Sequence, residues 1–334
     1  MSDASDLPVD EPVGTPGHAV RTLADVNEDA LLAEILPVFA TGPAALLGPG
    51  DDTAVLATTG GSVIATTDTM VRDRDWRDAW SSGRDVGAKV VAQNLADIAA
   101  MGGRPTGVLV TVVADPATTV EWVLEVTRGI AAACQESHVA VLGGDLSSAP
   151  PGTLMVSITA LGSLDGRPPV LRRGARPGDV VAVCGTLGLA AAGWRLLESG
   201  REDEDTQAVA LQRCPCPPLA QGPLAATAGA TSMLDLSDGL LRDATRVARA
   251  SGVRLALDGS ALAPDIRRIT PVLGPDLARE CVLAGGEEHA LLATFPCGIR
   301  LPAGWRALGV VEQGDGVTID GVAEKPRGWD HFSP

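Results

Sequence analysis

The chain has 334 residues, 45% of them apolar and 20% charged, with 26 Lys and Arg against 42 Asp and Glu for a formal net charge of −16. That length holds one large domain or two of ordinary size. So acidic a surface repels nucleic acid and anionic lipid, which excludes both as expected partners, and no apolar run reaches the ~18 residues of a membrane span.

Residues 1–20 are acidic and rich in Pro and Gly, with neither the basic start nor the apolar stretch of a signal peptide. They read as a disordered leader, and the protein as cytoplasmic. The cysteines, at 134, 184, 214, 216, 281 and 297, are scattered. Cys214-Pro-Cys216 has neither zinc nor CxxC spacing, so reduced and mostly buried thiols are expected.

From Asn27, a plausible cap, the pattern NEDALLAEILPVFA predicts a short helix. A turn at Gly48-Pro49-Gly50-Asp51-Asp52 leads into a strand at 53–57, and a second β-run at 62–67 ends in Thr66-Thr67-Asp68. Residues 84–100 predict a helix with Val86, Val90, Val91, Leu95 and Ile98 on its apolar side, stopped by Gly102-Gly103. A buried strand at 106–113 and an amphipathic helix at about 118–136 follow. The strand 139–142 enters Gly143-Gly144-Asp145, and another runs over 154–161. The Arg-, Gly- and Pro-rich stretch 164–177 reads as a domain junction, giving domains at 21–165 and 166–334. Beyond it come strands at 179–184, 232–236 and 253–257 and helices at 187–198, about 219–229 and about 239–250, with a solvated acidic loop at 200–205. A helix near 276–284, strands near 290–295 and 306–311, and a hairpin near Val317 complete two halves of mixed α/β to α+β character.

The informative feature is a set of carboxylates at the ends of apolar elements: Asp52, Asp68, Asp97, Asp145, Asp235 and Asp238. Apolar bodies pack together, so their polar tips can meet along one rim. Two carboxylates 4 Å apart repel by ~1 kcal/mol in water and ~4 kcal/mol at an effective dielectric of 20. Five or six of them must therefore bind protons or cations. No Lys or Arg run accompanies them, and all-oxygen donors that include Thr66 and Thr67 favour Mg²⁺. An acidic protein would then hold anionic phosphates through magnesium. Gly143-Gly144 allows close approach of backbone N–H groups to a phosphate, and the helix beginning after Ser237-Asp238-Gly239 offers free N–H groups, capped by Ser237 or Asp238. There is no GxxxxGK[ST] and no protein-kinase glycine loop. Taken singly each motif is ordinary turn or cap chemistry, Asp97 reads equally as an exposed helix residue, Arg172 and Arg173 as a solvated pair, and His289 and His331 as structural or surface residues.

Taken together and in order, GPGDDTAVL, ATTDTMV, AQNLADIAAMG, VLGGDLSS, LRRGARPGD, LDLSDGLLRD, AGGEEHALL and GWDHF closely resemble the thiamine-monophosphate kinases, a family of the PurM-like superfamily of aminoimidazole ribonucleotide synthetase. The resemblance covers about 23–332. It implies a two-domain PurM-like architecture, N-terminal sheets paired in a homodimer, and ATP held at that region. It implies magnesium ions on Asp52, Thr66, Thr67, Asp68, Asp97, Asp145, Asp235 and Asp238, with an additional option of a monovalent cation. Gly143, Gly144, Arg172 and Ser237 would contact the nucleotide, and Glu287 and Trp329 would approach the thiamine moiety. Asp75 stands where the family has a substrate-side histidine, an anion able to attract a cationic thiazolium. Gly285-Gly286-Glu287-Glu288-His289-Ala290-Leu291 replaces the family's GGEDYEL, and Trp329 keeps a flat aromatic where Tyr is usual.

The implied reaction is in-line transfer from ATP to thiamine monophosphate, with no side-chain nucleophile. The acceptor oxygen is already ionised, so charge neutralisation and positioning suffice. Rival readings are another PurM-like enzyme such as aminoimidazole ribonucleotide synthetase, a non-catalytic nucleotide–magnesium sensor, and a metal-dependent phosphatase. Selenophosphate synthetase and the hydrogenase-maturation dehydratase use a reactive cysteine or selenocysteine, or a C-terminal cysteine; the ending Asp330-His331-Phe332-Ser333-Pro334 and the absence of cysteine before 134 count against both.

Overall fold

In a computed structural model, residues 21–26, 28–39, 45–47, 55–58 and 61–329 are described. The expected leader, the Asn27 cap, Asp52 and the end of the chain beyond Trp329 lie outside them. The first helix, α1 (Glu28–Ile35), passes into a 3₁₀ turn at Leu36–Val38, where Pro37 cannot continue an α-helical ladder. A hairpin of β1 (Ala45–Leu47) and β2 (Val55–Leu56) follows.

The first large sheet contains β3 (Ile64–Val71), β4 (Arg104–Ala114), β5 (Ala140–Ser148) and β6 (Leu154–Ser163), in the order β3-β6-β4-β5. Only β4 and β5 are parallel, joined by the crossover helix α3 (Val120–Glu136). β3 and β5 run longer than the sequence suggests. Thr66-Thr67-Asp68 lies within β3 and Gly143-Gly144-Asp145 within β5, past a bulge opposite Val108 and Leu109. Gly-Gly is tolerated inside a strand here for steric reasons, since a Cβ on Gly144 would strike the Val110 carbonyl of β4.

Helix α2 (Gly83–Ala100) connects β3 to β4 and starts with a capping box, Ser82 Oγ accepting from the Asp85 N–H at 3.2 Å while the Asp85 carboxylate accepts from the Ser82 N–H at 2.9 Å. Thirteen of its 18 residues are buried, far more than one amphipathic stripe requires. The predicted stripe Val86, Val90, Val91, Leu95 and Ile98 packs on the first sheet and α3. Near its end, Ala99 and Ala100 join a second cluster with Ala182, Met233, Leu291 and Phe295 from the other sheet.

That other sheet has seven strands: β7 (Val180–Cys184), β8 (Ser232–Leu236), β9 (Arg254–Leu257), β10 (Ala290–Phe295), β11 (Trp305–Glu312), β12 (Gly316–Ile319) and β13 (Val322–Glu324). Their order is β13-β12-β9-β11-β7-β10-β8, with only β12 and β9 parallel. It is surrounded by α4 (Leu189–Glu198), α5 (Thr206–Arg213), α6 (Gln221–Thr227), α7 (Leu240–Ser251), α8 (Gly259–Leu273) and α9 (Pro275–Ala284). α2 lies against edge strand β8 and against β10, so it is sandwiched between the two sheets.

Two helices, α5 and α8, go beyond the elements read from the sequence. α5 begins at the foot of the acidic loop because Asp205 accepts from the Ala208 N–H and pairs with Arg268 of α8. α8 contains Pro264 and Pro271, and is held by the Asp258 cap and the burial of Leu262 and Ile269 despite the missing N–H groups. No helix among the described residues is long and apolar enough to cross a membrane.

α2 and α3 approach closely at Gly87 and Gly129, where an added Cβ would strike the Val126 and Arg84 carbonyls. Gly129→Ala should therefore cost about 1–3 kcal/mol through forced separation of the helices. Urea unfolding should show this as a lower midpoint at unchanged slope.

Candidate active site

The sandwiched helix brings polar side chains of both sheets to one place. Side chains alternate along β3, so Thr66 and Asp68 point to the α2 side. Thr66 Oγ1 donates to Asp97 Oδ2 at 2.6 Å, and the Asp68 N–H donates to Asn94 Oδ1 at 2.9 Å. Asn94 is fully buried and anchors the pair by donating from Nδ2 to the Val90 carbonyl of its own helix. From the second sheet comes Asp235, buried near the end of β8. Burial pushes the Asp97 carboxyl up to about 7, with the Asp235 charge next; the Thr66 hydrogen bond opposes this, Asp68 adds to it and His289 opposes it. Asp97 is thus no exposed helix residue.

The loop 285–289 ties this cluster to its surroundings. Glu287 and His289 both have left-handed backbones, at φ 64° and 54°, an uncommon conformation for residues with side chains. Hydrogen bonds hold them there, from Glu287 N–H to the Ser237 carbonyl at 2.8 Å and from His289 N–H to the Leu236 carbonyl at 3.0 Å. His289 is buried and its Nδ1 lies 3.0 Å from Asp235 Oδ2. Burial opposes its protonation, but the hydrogen bond to Asp235 and the charges of Asp235, Glu287 and Asp97 raise its pKa on balance. Lys89 of α2, also buried, reaches Glu287 Oε2 at 2.8 Å. Glu288 turns the other way. It accepts at Oε1 from Thr186 Oγ1 and the Leu189 N–H, each at 2.9 Å, and from the Ala190 N–H at 3.3 Å, capping α4, while burial raises its pKa.

A cavity of about 350 Å³ opens on the far side of this loop, lined by Arg74, Asp75, Trp194, Arg195, Glu287 and Trp329 among others. All three residues expected to approach the acceptor therefore share one cavity. Asp75 is partly committed to its own turn, accepting from the Val71 N–H at 2.7 Å. Trp329 is docked through its N–H to the Asp238 carbonyl at 2.9 Å, where Gly328 lies too close to that backbone to carry a Cβ.

The expected ligand set is divided. Thr66, Asp68, Asp97 and Asp235 converge. Thr67 and Asp145 project from the opposite face of the first sheet, because Thr67 is one residue out of phase with Asp68, and Asp145 shares its cross-strand row with Thr111, Ser157 and Thr69. Asp238 is engaged by Arg246 and Arg242. The expected free amides at the start of α7 are not free: Asp243 bends back and accepts from the Asp238 and Gly239 N–H groups at 3.0 and 3.1 Å. Neither Ser237 nor Asp238 caps that helix, whose cap is Gly239. Among the nucleotide candidates, Gly143 and Gly144 lie in edge strand β5 and Ser237 follows β8. Arg172 is exposed beyond the other end of β8, where its neighbour Leu171 accepts from the Met233 N–H.

Lys89 and His289 take roles the sequence reading did not assign them. The Lys89 signal is present in hindsight: it stands three residues after Val86, on the apolar stripe where a lysine needs a partner.

Among the described residues no three acid, His or Cys side chains by themselves form a metal-holding group. The donors still fit a hard divalent cation that takes part of its coordination from phosphate oxygens. Burial first, and then the neighbouring charges of Asp235 and Asp68, raise Asp97, as expected of a buried carboxylate short of a counter-charge, and Thr66 adds a hydroxyl oxygen.

Residues 50–164 match the family described as AIR synthase related protein, N-terminal domain. The chain is 41% identical over 319 residues to the thiamine-monophosphate kinase of Mycobacterium tuberculosis, covering 93% of each. The structure of the thiamine-monophosphate kinase from Stenotrophomonas maltophilia superposes with a TM-score of 0.74 at 30% identity, over 89% of this chain and 96% of that one. A structure of AaThiL complexed with AMPPCP and TMP superposes with a TM-score of 0.75 at 29% identity, over 84% and 91%.

Glu288→Ala should strand the Thr186, Leu189 and Ala190 donors and cost about 2–3 kcal/mol in chemical unfolding. Glu288→Gln keeps an acceptor and should cost less than about 1 kcal/mol on the same scale.

Proposed function

The chain belongs to the thiamine-monophosphate kinase family, and we propose that it transfers the terminal phosphoryl group of ATP to thiamine monophosphate, giving ADP and thiamine diphosphate. One observation carries this reading for the chain's own residues. The loop 285–289 places Glu287 in the wall of the 350 Å³ cavity and His289 on Asp235, so an acceptor pocket and a carboxylate cluster share a single short segment.

Magnesium would be held by Asp68, Asp97, Asp235 and Thr66, and when bound it supplies charge neutralisation between the two polyanionic reactants. The protein's own part is positional. Trp329 offers an indole face to a cationic ring, Glu287 offers a carboxylate fixed by Lys89, and the buried Asn94 keeps β3 and α2 in register. No side chain needs to remove a proton from an acceptor oxygen already ionised at neutral pH.

Two further elements belong to the proposal. Residues 21–165 and 166–334 are read as two domains, each organised on its own sheet. A homodimer would bury the face of the first sheet that α2 and α3 leave uncovered, which carries the exposed Val71 and Leu109 between rows of Thr and Ser. Thr67 and Asp145 lie on that face, so pairing would carry them to the subunit boundary. The reading also implies a cytoplasmic enzyme.

ADP release from ATP and Mg²⁺ should depend on thiamine monophosphate and be absent with thiamine. Equal release with both, or phosphate release without ATP, would reject the assignment, and nucleotide binding without turnover would mark a sensor. Asp97→Asn and Asp235→Asn should each lower kcat ~100-fold or more and remove the rise in melting temperature that Mg²⁺ and ATP produce together. Sedimentation equilibrium should show a dimer that Leu109→Glu converts to monomer.

A further inference from the structure

The acceptor cavity contains one arginine that makes no ion pair with another described residue of its walls. Most of its acids are answered within the protein. Glu287 pairs with Lys89 at 2.8 Å, Glu280 with Arg327 at 2.7 Å and Glu198 with Arg195 at 3.6 Å. Asp75 accepts from the Val71 N–H. Arg74 is different: among the described residues no carboxylate lies within ion-pair distance of its guanidinium. That group instead sits over the Trp329 ring, 5.5 Å from the centroid. Trp329 is also the surface on which a cationic acceptor ring would stack.

An indole face accommodates one cation at a time, because a second would meet the first rather than the π-cloud. Building on the acceptor assignment above, we infer that Arg74 is a specificity-determining residue that occupies the Trp329 face when no acceptor is bound and, when the acceptor's cationic ring takes that face, pairs with the acceptor's own phosphate. A phosphorylated thiamine supplies both halves of this exchange: the ring that replaces Arg74, and the anion that receives it. Unphosphorylated thiamine supplies only the first, and must displace Arg74 without giving it a partner. A guanidinium suits this task, since it is less strongly hydrated than an ammonium and presents paired donors to phosphate oxygens. The arrangement thereby favours the phosphorylated acceptor in an otherwise acidic protein.

Titration calorimetry with thiamine monophosphate and with thiamine, on wild type, Arg74→Met and Arg74→Lys, tests the inference. Arg74→Met should weaken thiamine monophosphate binding ~10-fold or more, the scale of a charged hydrogen bond lost, while thiamine binds as well or more tightly because its competitor for the indole has gone. Arg74→Lys should retain a partial preference for the phosphorylated ligand. In turnover, Arg74→Met should raise KM for thiamine monophosphate with kcat changed less than about threefold, the mark of a binding contact. Equal weakening of both ligands, or no change in either, would overturn the assignment, and melting temperature would identify a variant that fails through its fold. Wild type that binds thiamine monophosphate but releases no ADP would reject the kinase reading and leave the Arg74 result to stand on binding alone.

Discussion

Helix α2 is buried between two sheets, yet carries Lys89, Asn94 and Asp97, and the site depends on how that conflict is resolved. Each polar residue finds a different solution. Lys89 is neutralised by Glu287 from the other half of the chain, and Asn94 satisfies itself against Val90 and the Asp68 amide. Asp97 accepts a hydrogen bond from the Thr66 hydroxyl, and burial, followed by the charges of Asp235 and Asp68, opposes its ionisation more than Thr66 and His289 favour it. A buried charge with incomplete compensation costs stability unless something else supplies the missing opposite charge. On the proposed function, a cation entering with the phosphates would supply that charge.

The left-handed residues Glu287 and His289 extend the same logic. Conformations of this kind cost about 1–3 kcal/mol each and persist only where the surroundings enforce them. The enforcement is visible in the hydrogen bonds to the Leu236 and Ser237 carbonyls, and in Gly286, whose lack of a side chain lets the loop lie against Ser237. One reverse in the chain can then send Glu287 to the cavity wall, Glu288 to the start of α4 and His289 to Asp235.

Apolar periodicity made most of the framework legible, and the central helix most clearly, since Val86, Val90, Val91, Leu95 and Ile98 repeat at helical spacing. Asp68, Asp97 and Asp235 could be grouped because each interrupts an apolar element. Thr67 and Asp145 could not be sorted from them, because reading a strand as ended hides which face its next side chain takes; β3 and β5 in fact continue through those residues. Asp243 was invisible as a competitor for the α7 amides, since its bend back onto Gly239 is a matter of rotamer rather than spacing. α8 was hidden by two prolines, and the role of His289 by a strand partner 54 positions away.

The cluster shared by Ala99, Ala100, Met233, Leu291 and Phe295 has a mechanical consequence. Proteins that close by hinge or shear need an interface between bodies that can rotate or slide. Here one helix contributes to the cores of both, so bringing the two sheets together or apart would tear close-packed side chains. On the proposed function, any rearrangement that admits a ligand would fall to smaller parts: the tight reverse at 71–76, which carries Arg74, and the segment after β13, which carries Trp329.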